Sequence, residues 1–405
     1  MQLLDSEHRK NQGDFASGDT TNQQESLLSS KKANMAPTVM KQYMEASLLP
    51  SKYEAKLEKK KALEAGAAIR RFVEGRLAKD LRMVMAPAPL AFESSSKIND
   101  DLDGSEAMRA VGFHISNVPR DRGVVKEKEE AEEFGVDAEV VQSLANWKRC
   151  MLKFFDFPVG EGLFCASTSI RKGYKGDVTH SNVAEQWDWE LRISNEQRNK
   201  EFLKKIVLKI WAIIKDAERM VTSNYGIPPS LPADLKFTDP EELHGLWPDA
   251  DVHERETNAV RKWGAIFIVG MGWPLKDGSA PEEVRSPSYD DWNLNGDIIV
   301  HHPVTGYRHE LSSMGIRVDA ETLKAQLQHR NMTDLLQKPY HAAVVKDELP
   351  LSIGGGIGIS RLVMLLLQTA HVGEVSIGVW HDAHFHQAKQ AGIDIIPDRL
   401  IPGIL

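Results

Sequence analysis

Cysteine is scarce in this chain: 405 residues carry two, Cys150 and Cys165. Two thiols cannot build a disulfide framework, so a reducing compartment is expected. Long apolar runs are missing as well. No stretch approaches the about 20 residues that cross a bilayer, so no membrane partner is expected. An excess of basic charge is also lacking. With 50 Lys and Arg against 58 Asp and Glu, the net charge is −8, and a broad nucleic-acid footprint is not expected. Asp5, Glu7, Asp14, Asp19 and Glu25 crowd the N-terminus, which lacks the apolar core of a secretory leader and the acid-poor bias of a transit peptide. These absences point to a cytoplasmic location.

Familiar phosphate loops are lacking too. A Walker loop needs Gly-Lys-Ser/Thr and a dinucleotide fingerprint needs a third glycine. In Gly354-Gly355-Gly356-Ile357-Gly358-Ile359-Ser360-Arg361 the last position of that spacing is arginine. Glycine lets backbone approach a flat ligand, and a guanidinium can stack on a purine or fork onto phosphate oxygens, so a nucleotide site is one reading. A glycine-rich turn entering a core helix is the other. His381, His384 and His386 have metal-like spacing with Asp382 nearby, but zinc is not expected from spacing without geometry. Position 2 is Gln2, so the N-terminal cysteine nucleophile of a glutamine-hydrolysing domain is not expected.

What is present falls into a short tail and one large unit. Residues 1–36 are polar and aperiodic and are expected to form a disordered tail. Residues 37–405 are expected to form a single catalytic domain with an N-terminal helical extension. In that extension Tyr53, Leu57, Leu63, Ile69, Phe72, Leu77 and Leu81 sit among charges, which predicts a long amphipathic helix over 51–81. Pro87 and Pro89 mark an edge strand or an interface, and the charge run at 127–133 reads as a loop or exposed helix. Phe202, Ile206, Ile210, Ile213, Ala217 and Val221 mark a second helix. Residues 265–269, 298–300 and 375–380 read as buried strands. Strands and helices mix without regular βαβ alternation, so the fold class is α+β, built around an antiparallel sheet.

The chemistry-bearing residues gather on the predicted strands. Gln186-Trp187-Asp188-Trp189-Glu190 alternates, placing Gln186, Asp188 and Glu190 on one face and the tryptophans on the other. A solvated acidic face is the plain reading of that alternation, and a polar substrate site is the alternative. Arg171 follows the predicted strand 163–170, where a hairpin would set it beside Gln186 and Asp188. A second hairpin, turned by 303–306, joins Asp297 to Glu310-Leu311-Ser312-Ser313-Met314-Gly315-Ile316-Arg317. Paired carboxylates near phosphates suit magnesium, which takes one or two carboxylates plus phosphate oxygens. Ser143, Lys148 and Asp290 extend the set.

Together these motifs, with Asn99-Asp100-Asp101-Leu102-Asp103-Gly104, Ser143-Leu144-Ala145-Asn146-Trp147-Lys148-Arg149, Gly160-Glu161-Gly162-Leu163, Tyr289-Asp290-Asp291-Trp292 and Asn295-Gly296-Asp297, resemble the class II aminoacyl-tRNA synthetase core, and within it the ammonia-dependent asparagine synthetases, the aspartate–ammonia ligases. The resemblance spans residues 89–380. It implies six or so antiparallel strands flanked by helices, and a homodimer with the segment around Pro89 in its interface. It implies a reaction in which ATP adenylates the β-carboxylate of aspartate and ammonia displaces AMP to give asparagine. On that reading Arg171 contacts the α-phosphate, while Arg361, Ser313 and Gly358 complete the ATP site. Asp297 and Glu310 would carry magnesium. Gln186, Asp188, Ser143, Lys148, Asp290 and Ser312 would hold aspartate, Asp100 would meet ammonia, and Arg317 is expected to grip the substrate's α-carboxylate. Val183 and Ala184 stand where aspartyl-tRNA synthetases put an aromatic against adenine, and residues 1–81 show no anticodon-binding barrel. A tRNA partner is therefore not expected. A tRNA synthetase and a non-catalytic relative are the rival readings, and the second should have lost Arg171, Arg361, Asp297 or Glu310.

Overall fold

Hydrophobic alternation builds the sheet and 3.6-residue spacing builds the helices that cover it. The computed structural model describes residues 52–403 except 101, 103–108, 117–134, 175 and 280–284. The expected tail at 1–36 and the charge run at 127–133 lie outside the described residues.

Helix α1 (Lys59–Asp80) leads into the short strands β1 (Met83–Met85) and β2 (Ala91–Glu93), then β3 (Gly112–Ile115), β4 (Val136–Val140) and α2 (Ala145–Phe154). The hairpin of β5 (Gly162–Ile170) and β6 (Val183–Arg192) precedes α3 (Lys200–Tyr225), β7 (Lys236–Thr238), α4 (Pro240–Leu246), α5 (Val252–Trp263) and β8 (Ala265–Val269). A second hairpin, β9 (Asp290–His301) and β10 (Arg308–Arg317), is followed by α6 (Ala320–His329), α7 (Pro339–Val345), β11 (Ser352–Gly358), α8 (Ile359–Leu367) and α9 (Asp382–Gln390).

The main sheet has eight strands in the order β1-β5-β6-β11-β10-β9-β8-β7. The six from β5 to β8 pair antiparallel, as expected, and short parallel strands close the edges, β1 on β5 and β7 on β8. Strands β2, β4 and β3 form a separate antiparallel sheet.

One face of the main sheet is apolar. Trp187, Trp189, Ile298, Met314, Ile353 and Ile357 pack against Ile69, Val73 and Leu77 of α1, Ile206, Ile210 and Ile213 of α3, and Leu362 and Val363 of α8. Each such side chain contributes about 1.5–3 kcal/mol of burial. Helix α3 begins where the Asn199 side chain accepts the Phe202 N–H and ends at Gly226 in the left-handed region, φ 73°.

Three expectations change. The extension helix begins at Lys59, so Tyr53 and Leu57 precede it, and its buried face runs through Ala65, Ile69, Val73 and Leu77 while Leu63 is 71% exposed. Residues 375–380 form no strand; they follow a short 3₁₀ turn, Val372–Glu374. The glycine run is not a turn, because it lies within β11 at the centre of the sheet and leads straight into α8.

Candidate active site

The opposite face of the same sheet carries the polar residues. Register places Gln186, Asp188 and Glu190 of β6 across from Gly358, Gly356 and Gly354 of β11, and Gly356 and Gly354 across from Ser313 and Gly315 of β10. These glycines make a floor on which long side chains can lie. A Cβ at Gly354 would collide with the Glu190 carboxylate and the Arg317 guanidinium, and one at Gly356 would meet the Gln186 amide nitrogen at 3.1 Å. Close approach explains the glycine run, and the face it serves is enclosed: Glu190 is fully buried and Asp188 is 8% exposed. A solvated acidic face is ruled out for these residues.

At one end of this face lie two buried charge sets. The Lys148 ammonium, reaching up from α2, donates to Asp188 Oδ1 at 2.9 Å and to the Gly355 carbonyl at 3.0 Å. Ser167 of β5 donates to the other Asp188 oxygen. Arg317, 2% exposed, donates from Nε to both Glu190 oxygens at 3.0 and 3.1 Å, from Nη2 to Glu190 at 2.6 Å and from Nη1 to Asp290. Burial pushes the Asp290 carboxyl up, with Arg317 pulling against it, and the two carboxylates outweigh burial to hold Arg317 charged. The expected free fork for a substrate carboxylate is thus already committed. A guanidinium has five N–H donors and three of its directions here meet carboxylates.

At the other end are arginines and acids. A bulge between Glu310 and Ser312 shifts the alternation of β10 by one, so Glu310 lies on the polar face with Asp297 and Ser313. The same shift sends Ser312 to the apolar side, opposite Ile298 and Ile357, where its hydroxyl donates to the Gly356 carbonyl at 2.9 Å. Ser312 therefore does not join the site, a correction the bulge explains. Arg361, in the first turn of α8, donates to the Glu310 carbonyl at 3.0 Å and lies 3.6 Å from its carboxylate, as does Arg308. Burial alone would raise the Glu310 carboxyl; Arg361, Arg308, Arg285 and His180 outweigh it and hold the pKa at about 2. Asp297 pairs with Arg285, which also donates to Ser313 Oγ at 3.1 Å.

Arg171 lies close to Asp188 and Tyr289. It follows β5 directly, and its Nη1 donates to the Tyr174 hydroxyl at 3.2 Å. Burial works against its charge, and Tyr174, Tyr289 and Asp188 outweigh that, so its pKa rises. Asp100, 6% exposed, accepts from the Leu102 N–H at 2.8 Å and from Ser286 Oγ at 3.0 Å. Tyr289 links the parts. Burial, Asp100 and Asp290 push its phenol up, while Arg285 and Arg171 oppose them. Ser143 sits one turn ahead of Lys148, its hydroxyl accepting the Ala145 N–H at 3.3 Å.

The structure thus brings together Arg171, Gln186, Asp188, Lys148, Asp290, Arg317, Asp297, Glu310, Ser313 and Arg361, with Asp100 joined through Ser286. Sequence reasoning missed Arg285, Ser167 and His180. Arg285 lies in a proline- and acid-rich connection that resembles a surface loop, and no spacing marked it.

The family model for aspartate–ammonia ligase matches residues 58–392. An aspartate–ammonia ligase of Clostridium perfringens is 37% identical over 354 residues, covering 87% of this chain and all of that one. One from Mycoplasmoides gallisepticum is 39% identical over 331 residues, 81% of this chain and 95% of its own. Among solved structures, an Entamoeba histolytica asparaginyl-tRNA synthetase in complex with asparaginyl-adenylate superposes with a TM-score of 0.52 at 14% identity, covering 78% of this chain and 66% of its own. That likeness carries the fold, the class II aminoacyl-tRNA synthetase architecture, and the sequence matches carry the family. The chain belongs to the aspartate–ammonia ligase family, enzymes of the ligase class.

Proposed function

We propose that this protein makes asparagine from aspartate, ammonia and ATP, releasing AMP and pyrophosphate through a β-aspartyl-adenylate. The observation that carries this reading is one sheet face with two chemistries. An amino-acid-sized polar end is built on Lys148–Asp188 and Glu190–Arg317–Asp290, and a phosphate-suited end pairs Arg361 and Arg285 with Glu310 and Asp297, with Arg171 close to Asp188 and Tyr289.

In the first step a β-carboxylate oxygen of aspartate attacks the α-phosphorus and pyrophosphate leaves with the bonding pair. Charge builds on the α-phosphoryl oxygens, and Arg171, already in place, stabilises it by several kcal/mol. Gln186 and Asp188 hold the substrate's ammonium end, and Arg317 serves as a wall of the pocket through its remaining N–H directions. In the second step ammonia attacks the acyl carbon and AMP departs. Asp100 binds ammonium and takes its proton, which fits a buried carboxylate whose Ser286 partner can stay bonded in either state.

Asp297 and Glu310 suit magnesium. They are carboxylates on one face, linked through Arg285, and Glu310 stays ionised far below neutral pH. Among the described residues no group of three or more His, Cys, Asp or Glu side chains could hold a metal. Phosphate oxygens and water would complete the shell, which is magnesium's preference. The ion would supply neutralisation of phosphate charge.

A homodimer is part of this reading. Val84 and Met85 on the edge strand and Leu90 beside Pro89 are 60%, 53% and 72% exposed, apolar side chains suited to a partner subunit. Residues 37–405 act as one catalytic unit on this account. Oxygen-18 in the β-carboxylate of aspartate should appear in the phosphate of AMP. Label remaining in asparagine and absent from AMP would end the adenylate step.

A further inference from the structure

The loop between β5 and β6 carries Arg171 at its start and His180 near its end, and its outer side is held by the C-terminal segment. Inside the loop, Asp177 accepts from the backbone N–H groups of Thr179 and His180 at 2.7 and 2.8 Å and touches the His180 ring at 2.9 Å. Its two ends close where the Arg171 N–H meets the Asn182 carbonyl at 2.9 Å.

From outside, the Asn182 side chain makes a two-way clasp with residue 379: its amide donates to the Val379 carbonyl at 3.3 Å and its oxygen accepts the Val379 N–H at 3.2 Å. The Val372 N–H donates to the Val178 carbonyl at 2.8 Å. The Trp380 indole covers Gly176 so closely that a Cβ there would lie 2.5 Å from the ring. Val178 is buried in a cluster formed by Trp380, Phe385, Ala388, Ile393, Ile395 and Ile401. Trp380 is fixed from behind, stacked on His384 at 4.5 Å and capped where Arg399 donates to its carbonyl at 2.8 Å. His384 in turn meets His371 at 2.8 Å between ring nitrogens. No side chain of the 377–403 segment is among those placed on the polar face, yet the loop it grips supplies Arg171 and one of the charges acting on Glu310.

We propose that residues 377–403 form a strap that sets the working position of the β5–β6 loop, with Asn182 and Trp380 as positioning residues for Arg171 and His180 and hence for nucleotide affinity. This rests on the ATP reading of the site. A twelve-residue connection with Gly173 and Gly176 in it would otherwise sample many conformations, and each binding event would have to order it. The strap orders it in advance. Aspartate contacts on β6 and β10 do not depend on that ordering, so the strap should act on ATP far more than on aspartate.

The test uses the full chain and two variants, Asn182→Ala and Trp380→Ala, with ATP and aspartate affinities read by calorimetry and loop exposure by the rate of tryptic cleavage after Lys172. Asn182→Ala should weaken ATP about tenfold, leave aspartate within twofold, and speed the cleavage about tenfold, with saturating ATP restoring protection. Trp380→Ala should do the same more strongly. Unchanged ATP affinity with either cleavage result would overturn the strap, and so would equal weakening of ATP and aspartate, which marks a merely structural contact. Wild-type protein that binds ATP but forms no asparagine would sink the ligase reading and leave this comparison intact.

Discussion

Arg317 lies flat against Glu190, its Nε and Nη2 reaching both carboxylate oxygens at 2.6–3.1 Å, in a place where glycine at 354 leaves just enough room for the pair. Ser352 adds a bond to the same carboxylate at 2.7 Å, and Asp290 closes the other side of the guanidinium. Two acids and one cation are buried together, so the motif that the sequence offered as a substrate grip is also a structural joint between β6, β9 and β10.

Removing the cation should therefore cost stability before it reports on binding. Arg317→Ala leaves Glu190 and Asp290 buried without compensation, and a loss of about 3–5 kcal/mol in chemical unfolding is expected. Adding Glu190→Gln should recover part of it. A single variant as stable as wild type would remove the joint.

Glycines 354 and 356 should respond differently to alanine. At Gly354 the new methyl meets a locked ion pair and must displace it, so overpacking of at least about 1–3 kcal/mol is expected, with aspartate binding lost. At Gly356 it meets the far end of Gln186 at 3.1 Å, which can swing aside. Gly356→Ala should fold normally and lower turnover. Equal stability losses in the two variants would contradict the floor described here.

Charge type matters at Arg171. A point ammonium cannot reproduce the planar two-point grip on phosphate oxygens, so Arg171→Lys should cut kcat about tenfold to a hundredfold with little change in thermal stability. Steady-state kinetics close to wild type would take Arg171 out of the chemistry. Asp297→Asn should instead raise the magnesium concentration needed for half-maximal rate.

A pH slope should originate far from the site. Burial pushes the Glu374 carboxyl from 4.5 up to about 7, against bonds from Tyr53 and the backbone of His371 and Ala370. A raised folded-state pKa gives stability that is fully present below about 4.5 and lost as pH climbs through 7. Melting temperature should fall over that window, and Glu374→Gln, which keeps an acceptor for Tyr53, should flatten the fall. A slope unchanged by the substitution would place its origin elsewhere.

Periodicity made the sheet face with Trp187 and Trp189 legible, and α3 as well, because burial of one face leaves a repeat in the sequence. Register-dependent features were not legible. The bulge that sets Glu310 on the polar face and Ser312 on the apolar one adds one residue without changing composition, and β11 looked like a loop because its glycines serve neighbours on other strands. Residues 375–380 are as apolar as a strand, yet they are held by side chains such as Asn182 and by packing on Val178 instead of a ladder. Edge strands β1 and β7 are three residues each, too short to show alternation.

The most direct measurement supplies the protein with aspartate, ATP, magnesium and ammonium and identifies every product. Asparagine, AMP and pyrophosphate should appear in equal amounts, with no asparagine and no sustained turnover when ammonium is withheld. ADP with orthophosphate, or no asparagine at all, would contradict the account.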